Sequence, residues 1–188
     1  CAIQLYAQIG SRIDTLEKIA QIDKIVMTTH ESAIRIIDKQ GALNNPADRD
    51  HCLQYMATIG LLKGNLTAAD YEDAVAVDPR IDALRDKMVC VEKVEYTKDY
   101  LDPEKRSIAN AIQVFFKDGS KSDNLAVEYP IGHRRRRGEG IPELVKKFKV
   151  NLARRFSAKQ QAEILELCLD QTKLETTSVN AFVDMMVA

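Results

Sequence analysis

The sequence predicts an α+β protein. Three observations predict it. Apolar residues recur at helical spacing, with recognisable starts and stops, through about residue 88. Strict alternation around an Asp118-Gly119 turn then marks a small antiparallel sheet. Helical spacing returns at Pro142 and runs nearly to the end of the chain.

Taken in order, residues 2–18 place Ile3, Tyr6, Ile9, Ile13 and Leu16 on one helical face, and IDKIVM (22–27) reads as a strand. Thr29 is the expected cap of a helix through ESAIRIID, ended by Gly41. Asn45-Pro46 pairs a capping side chain with a proline at the first helical position. The helix that starts there is predicted to run to about Lys63 and stop at Gly64. It is apolar almost all round (Leu53, Met56, Ala57, Ile59, Leu61, Leu62), which predicts burial. Thr67, with Asp70 three residues on, starts a short helix, and Asp78-Pro79 starts another through ALRDKM.

VCVEKVE (89–95) is strand-like, and in 107–116 the residues Ile108, Ile112, Val114 and Phe116 share a face. After the turn, Leu125, Val127 and Tyr129 continue the alternation, and EYPI reads as the end of a strand. Pro142 is the expected first residue of a helix striped by Leu144, Val145, Phe148 and Leu152. Ser157 and Gln160 form a capping box for a helix through Leu169, and Ser178 caps a last one. These three helices find little helical partner within the chain. Their apolar faces are expected to pack on absent polypeptide or on a second subunit.

The chain has 188 residues, 45% apolar and 29% charged, as expected of a soluble globular protein. No apolar run approaches membrane-spanning length, so no membrane partner is expected. The start, CAIQLYAQIG, lacks Met and a signal-peptide layout and reads as the middle of a helix, which predicts a fragment of something longer. Cys1, Cys52, Cys90 and Cys168 lie far apart. Reduced thiols in a cytoplasmic compartment are the expectation, and the spacing gives no support for an iron–sulfur cluster or another metal.

The net charge of −1 conceals an asymmetry. Residues 1–131 carry 16 Lys/Arg against 21 Asp/Glu, whereas residues 132–159 carry 10 against 2. The basic segment opens with GHRRRR (132–137), His133 followed by Arg134, Arg135, Arg136 and Arg137. A nucleic-acid handle is disfavoured: the pI is about 6.4, there is no Trp, and the run has no aromatic residue. Two readings stay open. One is a solvated loop. The other is a clamp for carboxylates, which suits planar, always-charged guanidinium groups. Gly132, Gly138 and Gly140 would let the backbone approach a ligand, and a helix start at Pro142 would add exposed amides.

His133, between a glycine and an arginine, is expected to be partly exposed, either as a loop histidine or as a proton carrier. His51 and Tyr55 stand four apart on the predicted 45–63 helix and so share a face. They form either a core contact or a hydroxyl offered into a cleft as acid or donor. His30 has no distinguishing partner in the sequence and is given no role.

Five stretches carry a resemblance to a known family: NNPADRDHCLQYMATIGLLKGNLTAADYED, DPRIDALRDKM, DPEKRSIANAIQVFFKDGS, VEYPIGHRRRRGEGIPELVKKFKVNLARRF and LDQTKLETTSVNAFVDMMV. Together they resemble the C-terminal part of the MmgE/PrpD family, in order along essentially the whole chain. The resemblance implies a two-domain enzyme, with a large all-helical domain and a smaller α/β domain between its parts in sequence. Residues 1–131 would be most of the small domain and 132–188 a basic loop and returning helices of the helical domain, most of which is missing here.

The family holds dehydratases of 2-methylcitrate and decarboxylases of cis-aconitate, and GHRRRR followed by EGIP is closer to the dehydratases. The resemblance implies a lyase without a cofactor, acting on a small tricarboxylate, with a missing N-terminal helical domain and a homodimer as partners. Only Tyr55 of the H-x-x-x-Y pattern carries over as catalytic, with His51 matching the pattern. The fragment alone is expected to be inactive. A non-catalytic binding or dimerisation module, or the decarboxylase activity, is the alternative. Dehydration takes a proton from beside a carboxylate of a trianion and expels a hydroxyl. Fixed cations and hydrogen-bond donors should therefore dominate, with Arg134–Arg137 and His133 as the substrate-binding candidates.

Overall fold

A four-stranded sheet drawn from residues 22–127 organises the first part of the computed structural model, which describes residues 1–187. The chain divides into two units, Cys1–Pro130 and a second that begins at Ile131. The strands are β1 (Ile22–Thr29), β2 (Met88–Glu92), β3 (Asn110–Phe116) and β4 (Leu125–Val127), in spatial order β2-β1-β3-β4. β1 pairs antiparallel with β3, and β3 with β4 across the Asp118-Gly119 turn. β2 runs parallel to β1, with Ile25 opposite Met88, so the sheet is mixed and not antiparallel throughout. The parallel pair follows from the helical crossover that separates the two strands in sequence.

The helices of the first unit are α1 (Ala2–Ile9), α2 (Leu16–Ile19), α3 (Glu31–Ile37), α4 (Pro46–Asp50), α5 (Leu53–Lys63), α6 (Asp73–Ala76), α7 (Pro79–Arg85) and α8 (Val94–Leu101). Residues 2–18 are therefore two helices, not one. The Gly10 N–H closes α1 on the Tyr6 carbonyl, and the Thr15 hydroxyl accepts from Lys18 N–H to start α2. His30 caps α3 in place of Thr29, which is the last residue of β1, and α3 ends at Ile37, before Gly41. The strand expected over 89–95 stops at Glu92. Lys93 N–H pairs with the Thr29 carbonyl, and the Lys93 carbonyl then receives the Tyr96 and Thr97 amides that open α8.

The predicted 45–63 helix is broken in two. Asn45 caps α4 through Asp48 N–H, but His51 leaves helical geometry at φ −107 and ψ 28, and Cys52 is extended. Each piece is tied elsewhere. The Arg49 guanidinium reaches the Tyr71 carbonyl at 2.6 Å and Asp73 at 2.7 Å, while the Cys52 thiol faces the Lys39 carbonyl. Beyond the break α5 ends as expected at Gly64, which adopts φ +68, a conformation costly for any residue with a Cβ.

The all-round apolar character of α5 has a plain cause. Ala57 and Leu61 join the cluster on the sheet with Leu5, Ile25, Ile112 and Val114, while Cys52, Tyr55 and Ile59 pack with Ile81 in a second cluster. Each buried Leu or Ile stabilises by about 1.5–3 kcal/mol. Ile108, expected on the buried face of β3, lies before the strand and is 41% exposed.

The second unit consists of α9 (Arg137–Ala153), α10 (Ala158–Leu169), α11 (Gln171–Thr176) and α12 (Val179–Asp184). EYPI is not strand: β4 ends at Val127. Pro142 lies inside α9 instead of at its start. Leu152 and Ile164 are the large apolar side chains these helices bury among the described residues, and Leu144, Val150, Val179 and Val183 stay exposed.

Candidate functional site

Tyr55 and His51 belong to the first unit, His133 and Arg134–Arg137 to the second. Tyr55 points into the cluster beside Ile81, with its ring 6.0 Å from that of Tyr71, and is 1% exposed. Its hydroxyl donates to the Asp70 carbonyl at 2.6 Å. Burial, with Asp70 nearby, pushes the phenol above its ordinary value, so it stays protonated at neutral pH and acts as a donor. A hydroxyl offered into a cleft is not what the structure holds. His51 ends α4, exposed, with Nδ1 against the Asp50 carboxylate. The break at His51–Cys52 removes the shared helical face on which the two residues were expected to meet.

Asp70 links the Tyr55 turn to α5. Its carboxylate accepts from Thr67 N–H at 2.7 Å, the Thr67 hydroxyl at 2.8 Å and Lys63 Nζ at 2.5 Å. Burial pushes this carboxyl up, but the Lys63 and Thr67 bonds outweigh it and hold the group below the usual carboxylate value. A depressed folded value means the stabilisation is present above the unfolded value near 3.9 and is lost as pH falls through the folded one. Asp70→Asn is expected to cost about 1–2 kcal/mol at pH 7 and to flatten the acid limb of a pH-dependent melting series. An unchanged acid limb would remove Asp70 from that role.

His30 is a buried polar residue that the sequence did not mark. It is 6% exposed, caps α3 by accepting Ala33 N–H at Nδ1, and stacks on Tyr100 with ring centroids 4.2 Å apart. Burial lowers its pKa, so the ring is neutral at pH 7. It borders an apolar cavity of about 700 Å³. No local pattern could reveal this, because Tyr100 comes from α8, a helix the alternation did not predict. Cys90 offers no nucleophile at neutral pH: burial, with Asp38 beside it, pushes its thiol up to about 12.

In the second unit the arginine run forms a single 3-10 turn, Arg134–Arg136, and Arg137 begins α9. The exposed amides expected ahead of Pro142 are therefore already inside a helix. His133 is buried, 8% exposed, instead of partly exposed, because its Nδ1 accepts Arg135 N–H at 3.1 Å and caps the turn. Arg134, Arg135 and Arg137 are exposed, and Arg136 pairs with Glu139 at 2.7 Å. That glutamate in the first turn offsets the unfavourable placing of cations at a helix start. Gly140 serves packing: a Cβ there would lie 2.3 Å from the Ile131 carbonyl oxygen. The turn is thus a cationic segment whose start is capped by the His133 side chain and which is followed, at Gly140, by close packing on Ile131.

Comparison with known proteins bears on all of this. A family model described as MmgE/PrpD C-terminal domain matches residues 1–171. The 2-methylcitrate dehydratase of Salmonella typhimurium (strain LT2) is 56% identical over 186 residues, 99% of this chain and 38% of its own length. That of Escherichia coli (strain K12) is 58% identical over the same shares, and that of Cupriavidus necator 60% identical over 88% of this chain and 34% of its own. The chain thus spans well under half the length of these relatives.

Proposed function

The chain belongs to the MmgE/PrpD family, and from that premise we propose that it is the C-terminal part of a 2-methylcitrate dehydratase. The reaction removes the tertiary hydroxyl of 2-methylcitrate and a neighbouring proton as water, leaving 2-methyl-cis-aconitate. The observation that carries the proposal is identity of 56–58% to curated 2-methylcitrate dehydratases across 99% of the chain. Two parts of the structure support it. The Arg134–Arg136 turn and Arg137 at the start of α9 present delocalised cations suited to a trianion. The exposed apolar residues of α9 to α12 suit helices that find their partners in further polypeptide. Residues 1–131 are, on this proposal, the small domain, and 132–188 return to the helical one.

His133 shapes the arginine turn, and His51 is the exposed group of the H-x-x-x-Y pattern. Tyr55 keeps on this proposal the catalytic role that the family pattern implies, which requires its 1%-exposed hydroxyl to leave the Asp70 carbonyl for a substrate oxygen. Tyr55→Phe in the full-length polypeptide is then expected to lower kcat by about 100-fold and stability by about 1 kcal/mol. A loss of stability with kcat unchanged would confine Tyr55 to holding α5 against the Asp70 turn.

The proposal is tested by product analysis with 2-methylcitrate, citrate and cis-aconitate as substrates of the full-length polypeptide. Dehydration of 2-methylcitrate is expected. Carbon dioxide from cis-aconitate would assign the decarboxylase activity instead, and no turnover would assign a binding module. The proposal includes a homodimer, checked by light scattering, and a cytoplasmic setting. Among the described residues no helix is long and apolar enough to cross a membrane, although the Yarrowia lipolytica relative is named as mitochondrial.

A further inference from the structure

His30 is held by two contacts and leaves one nitrogen unused. Its Nδ1 accepts the Ala33 N–H at 3.3 Å, which places the proton of the neutral imidazole on Nε2. Its face stacks on Tyr100, 6° from parallel, so the ring plane is fixed as well. Burial holds the ring neutral. Among the described residues Nε2 makes no hydrogen bond, nor is it one of the sealed side-chain atoms left without a partner, which are Thr29 Oγ1, Arg49 Nε and Arg85 Nε. A residue only 6% exposed therefore turns a donor towards open space, and the space it borders is the cavity of about 700 Å³. The walls beside it include Met27, Ile37, Leu53 and Met56, and among the described residues no Lys, Arg, Asp or Glu lines the cavity. Such walls do not suit a carboxylate, which would shed its water without meeting a countercharge. They suit an uncharged group with one acceptor and some apolar surface. 2-Methylcitrate has one such edge. Its tertiary hydroxyl stands on the carbon next to the one that carries the methyl group, and the double bond forms between those two carbons.

We infer, on the dehydratase reading above, that His30 contacts the substrate: its Nε2–H donates a hydrogen bond to the tertiary hydroxyl oxygen, and the apolar walls beside it take the methyl group. The carboxylates are left to cations outside the cavity. Negative charge grows on the hydroxyl oxygen as its bond to carbon breaks. The hydrogen bond therefore strengthens in the transition state, and its loss appears in kcat before KM. His30 keeps its proton throughout, because a neutral imidazole is a donor and not an acid at pH 7. Tyr55 plays no part in this contact, since its ring packs in the separate cluster beside Ile81.

Two variants of the full-length polypeptide separate the roles of the two ring nitrogens. In His30→Asn the Oδ1 atom takes the place of Nδ1 and keeps the cap of α3, but nothing replaces Nε2. In His30→Gln the carboxamide nitrogen reaches the Nε2 position and the cap is lost. His30→Asn is expected to lower kcat for 2-methylcitrate about 100-fold, with KM within about threefold of the parent and Tm nearly unchanged. His30→Gln is expected to recover at least about tenfold of that loss while lowering Tm more than His30→Asn does. A structural role alone would rank the variants the other way, with activity following the cap. That order, or full turnover by His30→Asn, overturns the inference. Failure of the parent itself to dehydrate 2-methylcitrate refutes the dehydratase reading and this contact with it, so the two failures are distinct. If neither variant folds, Ser32→Cys reports on the cavity directly. A thiol-alkylating reagent is expected to modify position 32, read by peptide mapping, and 2-methylcitrate at about ten times its KM to slow this roughly tenfold. Equal rates with and without substrate, or no modification at all, also overturn it.

Discussion

A full-length polypeptide carrying Arg134→Gln and Arg135→Gln is expected to bind 2-methylcitrate with KM raised roughly 30-fold and Tm unchanged. A charge-assisted hydrogen bond contributes about 1.5–3 kcal/mol, and a factor of ten corresponds to about 1.4 kcal/mol. Losing the cation while keeping polar reach therefore predicts a rise of this order even if only one of the two arginines touches substrate. Glutamine is chosen because both side chains are exposed and can be shortened without opening a cavity. Lysine is the informative second variant: it keeps the charge but loses the planar two-pronged donor, so KM should recover only in part. If KM stays constant and Tm falls, the turn stabilises the protein and the carboxylate clamp is wrong. Steady-state kinetics with melting curves on the same preparations distinguishes the two.

Gly140→Ala is expected to destabilise the second unit by about 3 kcal/mol. The added Cβ would sit 2.3 Å from the Ile131 carbonyl oxygen, well inside contact distance and against backbone that has no rotamer to change. In an ordinary exposed helix the same substitution would stabilise by up to about 1 kcal/mol. The sign of the effect is therefore diagnostic, and Gly138→Ala supplies the control, since nothing lies within 4 Å of a Cβ there. Circular dichroism melts of the two variants should move in opposite directions. A Gly140→Ala protein as stable as the parent would mean that Ile131 and α9 are not held as described. Because Gly140 packs on Ile131 just after the arginine turn, its variant should also raise KM for 2-methylcitrate.

Most helices and strands were legible because their signals are local. Asn45-Pro46, Asp78-Pro79, Ser157 and the Asp118-Gly119 turn all mark real boundaries. The family, too, was legible from five contiguous stretches. The errors share a cause. Pro142 is a good start signal, yet α9 begins five residues earlier, because Gly140 packs on Ile131 and Arg136 pairs with Glu139. The H-x-x-x-Y helix reads as continuous, yet it breaks at His51 because Arg49 is drawn to Tyr71 and Asp73. His30 had no signal at all, since its stacking partner lies on α8.

By itself the sequence determined the α+β class, the position of the cationic run and the family, since caps, alternation and charge depend on residues within about a turn of each other. Only the tertiary structure decided that Tyr55 gives its hydroxyl to the Asp70 carbonyl, that His133 is buried where it caps the arginine turn, and that His30 is buried against Tyr100 beside an apolar cavity. Each of those outcomes depends on which backbone group or helix arrives alongside after folding, and no local pattern of side chains encodes that.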